Sequence, residues 1–209
     1  MPSTKKTRKD EIYAVRYSPT SPKLQFLSPE GPSYRNQGTV ADAKKMADGL
    51  GLLRIGRHGW VRISEIEMVM PADRNGVIKA ETGQGSVKGD ESYLPGLTTF
   101  LVGTHGFLEL TTGALANPAK LVLREPKNVS MHEDTIIPLK ALTVEARKRV
   151  DAMPWVTMPS GLKVNPNADL SNVSEAIDSG TIDIKLIEKA RTEIAAKTKP
   201  AAKRAPRRG

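Results

Sequence analysis

The chain has 209 residues, of which 38% are apolar and only 4% aromatic, with 32 Lys and Arg residues against 23 Asp and Glu residues. The absence of cysteine excludes disulfides, thiolate metal sites and cysteine nucleophiles. Because aromatic residues are so few, the sequence offers no series of rings on which successive single-stranded bases could stack. No apolar run reaches the length of a membrane span, and the N-terminus lacks the apolar stretch of a secretory signal. We therefore expect no membrane partner.

The positive charge of the chain lies at its two ends. Residues 1–10 carry a net charge of +3 and residues 197–209 a net charge of +6, so residues 11–196 balance at 22 cations and 22 acids. The cations of the two ends are Lys5, Lys6, Arg8, Lys9, Lys197, Lys199, Lys203, Arg204, Arg207 and Arg208. Loose Lys/Arg segments bind phosphates largely by releasing condensed counterions. These ten residues are the predicted nucleic-acid-binding site.

The C-terminal segment interleaves Lys and Arg with Ala and Pro, a composition similar to the tails of linker histones and some bacterial nucleoid proteins. This similarity is compositional and assigns no family. The leading hypothesis is a non-enzymatic nucleic-acid-binding protein without a cofactor, with DNA favoured over RNA, a neutral body able to form homo-oligomers, and an intracellular (cytoplasm or nucleoid) or virion location. A viral or phage structural or accessory protein with genome-facing tails is the second hypothesis. A small enzyme with a histidine and carboxylate site is the third.

The predicted elements of the first two thirds are mostly strands. Alternating residues predict strands over 11–17 and 23–27, followed by a Pro/Gly/Ser-rich loop. Thr39 is placed to cap a helix that runs to about Asp48, with Gly49 as its left-handed stop. Short apolar or alternating runs then predict strands over 52–55, 60–70, 76–80, 98–102, 107–111 and 120–123. The polar stretch 81–96 is predicted to be an exposed loop.

The last third is predicted to be helical. Leu139, Leu142, Ala146, Val150 and Met153 recur at spacings of three or four, which indicates an amphipathic helix that ends before Pro154. In this helix Glu145 is placed to support Arg149 at i,i+4. A connector over 154–170 follows. A short helix from Ser171 or Asn172 to Asp178, closed by Gly180, and a longer helix over 182–196 complete the chain.

One internal repeat is visible, because residues 53–63 and 101–111 share Gly-x-His-Gly followed by an aromatic and an aliphatic residue. Glycines around a short connection between alternating segments are typical of a β-hairpin turn. The sequence therefore predicts an α+β fold: a small, mostly antiparallel sheet or partly open barrel that contains a duplicated hairpin. Its predicted parts are the disordered ends 1–10 and 197–209, a β-rich core over 11–125 and a helical part over 126–196.

His58 and His105 occupy matching places in this repeat and could converge as metal ligands or as an acid–base pair. Neither has the neighbouring carboxylate or second histidine of a metal motif, so the pattern favours turn residues. His132, beside Glu133 and Asp134, is a weaker candidate of the same kind. The apolar parity changes between Ile63 and Ile66, which predicts a bulge or break at that point. Glu65 and Glu67, just after it, are interpreted as a solvated sheet face.

Overall fold

The computed structural model describes residues 11–36, 38–132 and 135–198. The chain divides into two compact units. The first comprises the residues up to Ala119 together with Lys140–Asp151, and the second comprises Lys120–Leu139 and the residues from Ala152 onward. In the described ranges, every helix is too short or too polar to cross a membrane.

The first module of the fold consists of five antiparallel strands and one helix. Its elements are β1 (Ala14–Ser18), β2 (Lys23–Ser28), β3 (Gly31–Asn36), α1 (Val40–Gly49), β4 (Leu53–Arg54) and β5 (Gly59–Val61). The strand order is β3-β2-β1-β5-β4, so a three-stranded meander is joined through β5 to a hairpin. Thr39 caps α1, as predicted, and the structure adds that Asp42 completes a capping box with it. The predicted stop is wrong, since the left-handed residue is Gly51, with φ +65°, and not Gly49.

The second module repeats this arrangement. Its elements are β6 (Ile66–Met70), β7 (Val77–Thr82), β8 (Gly85–Asp90), α2 (Leu94–His105), β9 (Leu108–Glu109) and β10 (Leu115–Ala116), with strand order β8-β7-β6-β10-β9. The loop predicted over 81–96 and the strand predicted over 98–102 are both wrong, because β8 and α2 occupy these residues. In α2, Pro95 stands in the first turn, and Leu97 and Leu101 are buried one helical turn apart. Burial of Leu97 and Leu101 outweighs the strand preference of Thr98 and Thr99, which lie between them in the sequence.

The third module has the same order again. Its elements are β11 (Leu123–Arg124), β12 (Asn128–His132), β13 (Thr135–Pro138), α3 (Val144–Asp151), β14 (Val156–Thr157) and β15 (Lys163–Val164), with strand order β13-β12-β11-β15-β14. Two helices follow: α4 (Ser174–Asp178), which ends near the left-handed Gly180 as predicted, and α5 (Ile184–Thr198). The predicted split into a β-rich core and a helical part stays a prediction. Within residues 126–196, however, the structure has four strands, β12–β15, as well as α3–α5.

One pair of hydrogen bonds closes all three modules. In each module, the residue directly after the last strand is the closing donor. Its backbone N–H donates to a carbonyl near the start of the module, and its side-chain N–H donates to the carbonyl of the preceding residue. All six donor–acceptor distances lie between 2.7 and 2.9 Å. The donors with their two acceptors are Arg62 with Tyr13 and Ile12, Asn117 with Glu67 and Ile66, and Asn165 with Val122 and Leu121. These donors are 55 and 48 residues apart along the chain. The fold is therefore a triplication.

This triplication corrects the predicted repeat. Counted back from the closing donors, Ile55, Leu110 and Met158 are equivalent, and each donates its N–H to the carbonyl four residues further on. His58 lies in the connection between β4 and β5, whereas His105 is the last residue of α2. The similar segments 53–63 and 101–111 thus have different structures: the first is a β-hairpin, and the second includes the end of a helix. The duplicated hairpin is not confirmed in that register.

The fold class itself is confirmed: the protein is α+β, with three antiparallel five-stranded sheets. The sheets are not closed, and the partly open barrel is not confirmed. A 3-10 turn over Ile63–Glu65 separates β5 from β6, which confirms the break predicted there.

The predicted pair of Glu145 with Arg149 in α3 does not form. Glu145 instead contacts Lys148 at 3.3 Å, and Arg149 donates to the carbonyls of Val102 and Phe107.

Strand β1 of the first sheet packs against a hydrophobic cluster on each of its two faces. Along β1, Val15 faces a cluster that includes Ala43 and Ala47 of α1, whereas Ala14 faces a cluster shared with the second sheet and α2. Because successive side chains of a strand point to opposite faces, β1 contributes to two separate cores.

The second compact unit has its own core, in which Met158 and Val164 pack with Ile182 and Ile187 from the C-terminal helical segment. The residues after the third module thus cover the hydrophobic side of its last hairpin.

Candidate anion-binding site

A cationic pocket lies at one end of the first module. Its volume is about 400 Å³, and its lining includes three cations and one histidine but no Asp or Glu. The lining residues are Arg16, Tyr17, Ser18, Pro19, Ser21, Lys23, Gln25, Tyr34, His58 and Lys88. Although residues 11–196 are neutral in sum, the fold thus gathers positive charge at one place on them.

Five parts of the chain build this pocket. β1 and its turn into β2 supply Arg16 and Tyr17, and β2 itself supplies Lys23. β3 supplies Tyr34, the connection from β4 to β5 supplies His58, and β8 supplies Lys88. The backbone N–H of Tyr17 donates to the carbonyl of His58 at 2.9 Å, and the two rings lie 5.6 Å apart. The histidine is therefore held against the strand that carries the arginine.

The pocket contains polar groups with unmet hydrogen-bonding capacity. Arg16 Nε and His58 Nδ1 are both shielded from solvent and have no hydrogen-bond partner among the described residues. Desolvation by burial lowers the pKa of Arg16 from its ordinary value, an effect partly opposed by the nearby Tyr13 and Tyr34. The guanidinium remains a cation, but it has lost part of its hydration without gaining an acidic partner in the pocket.

The equivalent end of the third module also forms a pocket, with different chemistry. Ala14 pairs with Val61 in the first module, and Leu123 pairs with the equivalent Val164 in the third, so Ala14 and Leu123 are equivalent. Two residues further on, Glu125 therefore occupies the place of Arg16.

Gly161 occupies the place of His58, because each lies four residues before the closing donor of its module. Arg124, Glu125, Lys127 and Gly161 line this pocket. Its two cations are accompanied by a carboxylate, so it lacks the uniform charge of the first.

Most of the predicted nucleic-acid-binding residues lie outside the described part of the chain. These are Lys5, Lys6, Arg8, Lys9, Lys199, Lys203, Arg204, Arg207 and Arg208. Lys197 is described: it is exposed in the last turn of α5. α5 is fixed to its unit through Arg191, which donates to the carbonyls of Pro166 and Ala168. The basic C-terminal segment therefore continues from an anchored helix.

The histidines considered for an enzyme site lie in three different settings. His58 lines the cationic pocket, His105 is exposed at the end of α2 with its ring 4.8 Å from that of Phe100, and His132 Nε2 lies 2.8 Å from Thr135 Oγ1. Glu65 belongs to the 3-10 turn and Glu67 to β6, and neither lines the pocket of His58. Within the described residues, no three His, Asp or Glu side chains are grouped so that they could hold a metal ion.

Sequence reasoning missed Arg16, Lys23 and Lys88 as a group. They are far apart in the chain, and each stands in or beside a strand whose other residues explain its pattern without a site. The available signal was small: Arg16 is the one charged residue of β1. The pairing of β1 with β2 and β5, together with the packing of the β4–β5 connection on β8, brings these cations to His58.

Comparison with known proteins gives little further information. No protein-family model matches the chain, and no curated protein matches it. One solved structure found to be similar is the LytTr DNA-binding domain of a response regulator from Bacillus cereus, with 14% sequence identity and a TM-score of 0.37. The match covers 46% of this chain and 84% of that domain. A similarity of this size is too low to establish a shared fold or function.

Proposed function

We propose that this protein is a non-enzymatic nucleic-acid-binding protein whose basic ends contact phosphates. The observation that carries the proposal is the distribution of charge: the whole net charge of +9 lies in residues 1–10 and 197–209. DNA is the favoured partner, and the favoured location is inside a cell or a virion. The cationic pocket adds support, because it offers a second positive region on the folded part of the chain.

The C-terminal segment is the main phosphate-binding element in this proposal. It has six cations and no acid, and it begins in the last turn of α5, a helix that Arg191 fixes to its unit. If about five of these cations contact phosphates of duplex DNA, the slope of log K against log salt is roughly −4 to −5. Sequence preference is not needed for this binding, because phosphate contacts read no base.

The test is a retardation assay of duplex DNA at two salt concentrations. It compares the full chain, a chain ending at Ala196, and a full-length variant in which the six C-terminal cations are replaced by Gln. We expect both altered proteins to lose most of the affinity and most of the salt dependence. The Gln variant controls for length, since it keeps every residue of the segment. Unchanged affinity in both would overturn the proposal.

A further inference from the structure

We propose that the pocket of the first module binds a phosphate group, with Arg16 and His58 as its direct ligands and Lys23 and Lys88 as supporting charges. This inference goes beyond the proposed function, because it places an anion site on the neutral, folded part of the chain. It does not depend on the basic ends. The phosphate is either free, as in inorganic phosphate or a nucleotide, or part of a nucleic-acid backbone.

The first support is the charge of the lining. Arg16, Lys23 and Lys88 meet there without any carboxylate in the lining. Asp90, which accepts the backbone N–H of Arg57, and Asp73, which accepts the N–H groups of Asn75 and Val77, do not line the pocket. Three cations without a balancing acid in one concave site favour a multiply charged anion.

The second support is the unmet hydrogen bonding of the two proposed ligands. Buried polar groups in folded proteins are nearly always paired, so an exception requires an explanation. Arg16 Nε and His58 Nδ1 are two such exceptions within one pocket. A phosphate oxygen accepts from a guanidinium with matching geometry, frequently in pairs of bonds. A small shift of these two side chains toward a bound phosphate would satisfy both.

The third support is that the fold does not require Arg and His at these positions. Met70 and Gly113 stand at the equivalent places of the second module, and Glu125 and Gly161 at those of the third. The strands pair in the same order in all three modules. Arg16 and His58 are therefore a special feature of the first module, and a half-buried guanidinium that the architecture can omit calls for a ligand.

The size and the remaining lining are consistent with a phosphate that carries an organic group. A volume of about 400 Å³ exceeds what a single phosphate ion fills and lies within the range of small-ligand pockets, from about 300 to 1,000 Å³. Tyr17 and Tyr34 line it with rings, and Gln25 donates to the Tyr34 hydroxyl at 3.2 Å. These side chains offer flat surfaces and polar groups to a sugar or a base beside the phosphate.

The test is an NMR and calorimetric titration of the full-length protein with inorganic phosphate, with a nucleoside 5′-monophosphate, and with a short oligonucleotide that has no terminal phosphate. We expect amide shifts of Arg16, Tyr17, His58 and Lys88 to move with at least one of these probes. Arg16→Gln is expected to weaken that binding roughly tenfold or more, since hydrogen bonds to charged groups contribute on this scale. His58→Phe, which keeps a ring against Tyr17, is expected to weaken it as well.

Arg57→Gln is the matched control. Arg57 is exposed, precedes His58 and does not line the pocket, so its replacement removes the same charge without removing a ligand. If Arg57→Gln and Arg16→Gln weaken binding equally, or if none of the probes shifts these amides, the inference is wrong. Should Arg16→Gln fail to fold, as circular dichroism would show, Lys88→Gln at an exposed position supplies the same comparison.

The three probes separate the sources of the phosphate. Binding of the monophosphate or of inorganic phosphate without the oligonucleotide indicates a free or terminal phosphate, and binding of the oligonucleotide indicates the backbone. Either outcome supports the site. Deleting the residues after Ala196 leaves this binding unchanged if the inference holds, even if the same deletion shows that the basic end has no role with DNA. The inference and the proposed function can therefore fail separately.

Discussion

Residues 56–59 and 103–106 have the same Gly-x-His-Gly pattern but different structures. The first segment is a connection between two strands, and its two glycines are buried against β8. The second is the end of α2, where Gly103 is exposed and Gly106 has φ +71°. Glycine is required for close approach in one case and for a left-handed helix end in the other. A shared short pattern therefore did not indicate a shared place in the fold.

The largest expected effect is at Gly59. A Cβ at this position would overlap the carbonyl oxygen of Lys88 and lie 3.3 Å from Val87 Cγ1, although its φ is not left-handed. We expect Gly59→Ala to lower the free energy of unfolding by roughly 2 to 3 kcal/mol, because neither backbone can move without breaking strand pairing. Chemical denaturation measures this change. A loss below about 0.5 kcal/mol would show that the connection does not pack tightly on β8.

Next come the asparagines that define the true repeat. Asn117 and Asn165 are buried, and each side chain donates to a carbonyl at 2.8 Å and accepts a backbone N–H at 3.0 Å. Asn117→Ala and Asn165→Ala are each expected to cost roughly 2 kcal/mol, since a buried carbonyl and a partly buried N–H lose their partner. Thermal unfolding of both variants measures the effect. Asp substitution serves as the control that keeps the acceptor and removes the donor.

A smaller effect is expected at Gly106, where the backbone and not the packing sets the requirement. Nothing lies within 4 Å of a Cβ built there, but φ is +71°. Gly106→Ala should cost about 1 kcal/mol, and Gly106→Asn less, because Asn tolerates the left-handed conformation better. Denaturation midpoints of the two variants decide the point. Equal losses would mean that the side chain, rather than φ, is the cause.

The smallest effect, and of opposite sign, is expected at Gly103. This glycine lies inside α2, and a Cβ there meets nothing within 4 Å. Gly103→Ala should stabilise the protein by about 0.5 kcal/mol, since alanine loses less backbone entropy in a helix. The same denaturation assay compares it with Gly59→Ala, its counterpart in the sequence pattern. Destabilisation by Gly103→Ala would mean that a side chain is not tolerated at this position of α2.

The sequence was sufficient where local chemistry decides. Thr39 predicted the start of α1 because capping is local, and Gly180 predicted the end of α4 because a left-handed residue closes a helix there. The break near Ile63 followed from the change of apolar parity. Alternation in β1 also indicated a strand, but not that both of its faces are buried.

The tertiary structure decided what depends on distant residues. α2 is a helix because Leu97 and Leu101 are buried in a cluster with residues of both sheets of the first unit, an environment that its own residues do not reveal. The triplication is carried by hydrogen bonds to carbonyls, which any residue supplies, so Arg62 can stand where the other modules have Asn. The cationic pocket likewise exists only because the pairing of β1 with β5 and the packing of the β4–β5 connection on β8 bring Arg16, His58 and Lys88 together.

The charge of the two ends was determined by the sequence alone, because net charge is a sum over residues and needs no fold. The sequence alone did not determine where charge lies within the neutral remainder, because a balanced total allows any arrangement of cations and acids. That arrangement depends on which strands pair and on which turns meet. In this protein, pairing placed an arginine and a histidine at the end of one module and a glutamate and a glycine at the same place in another.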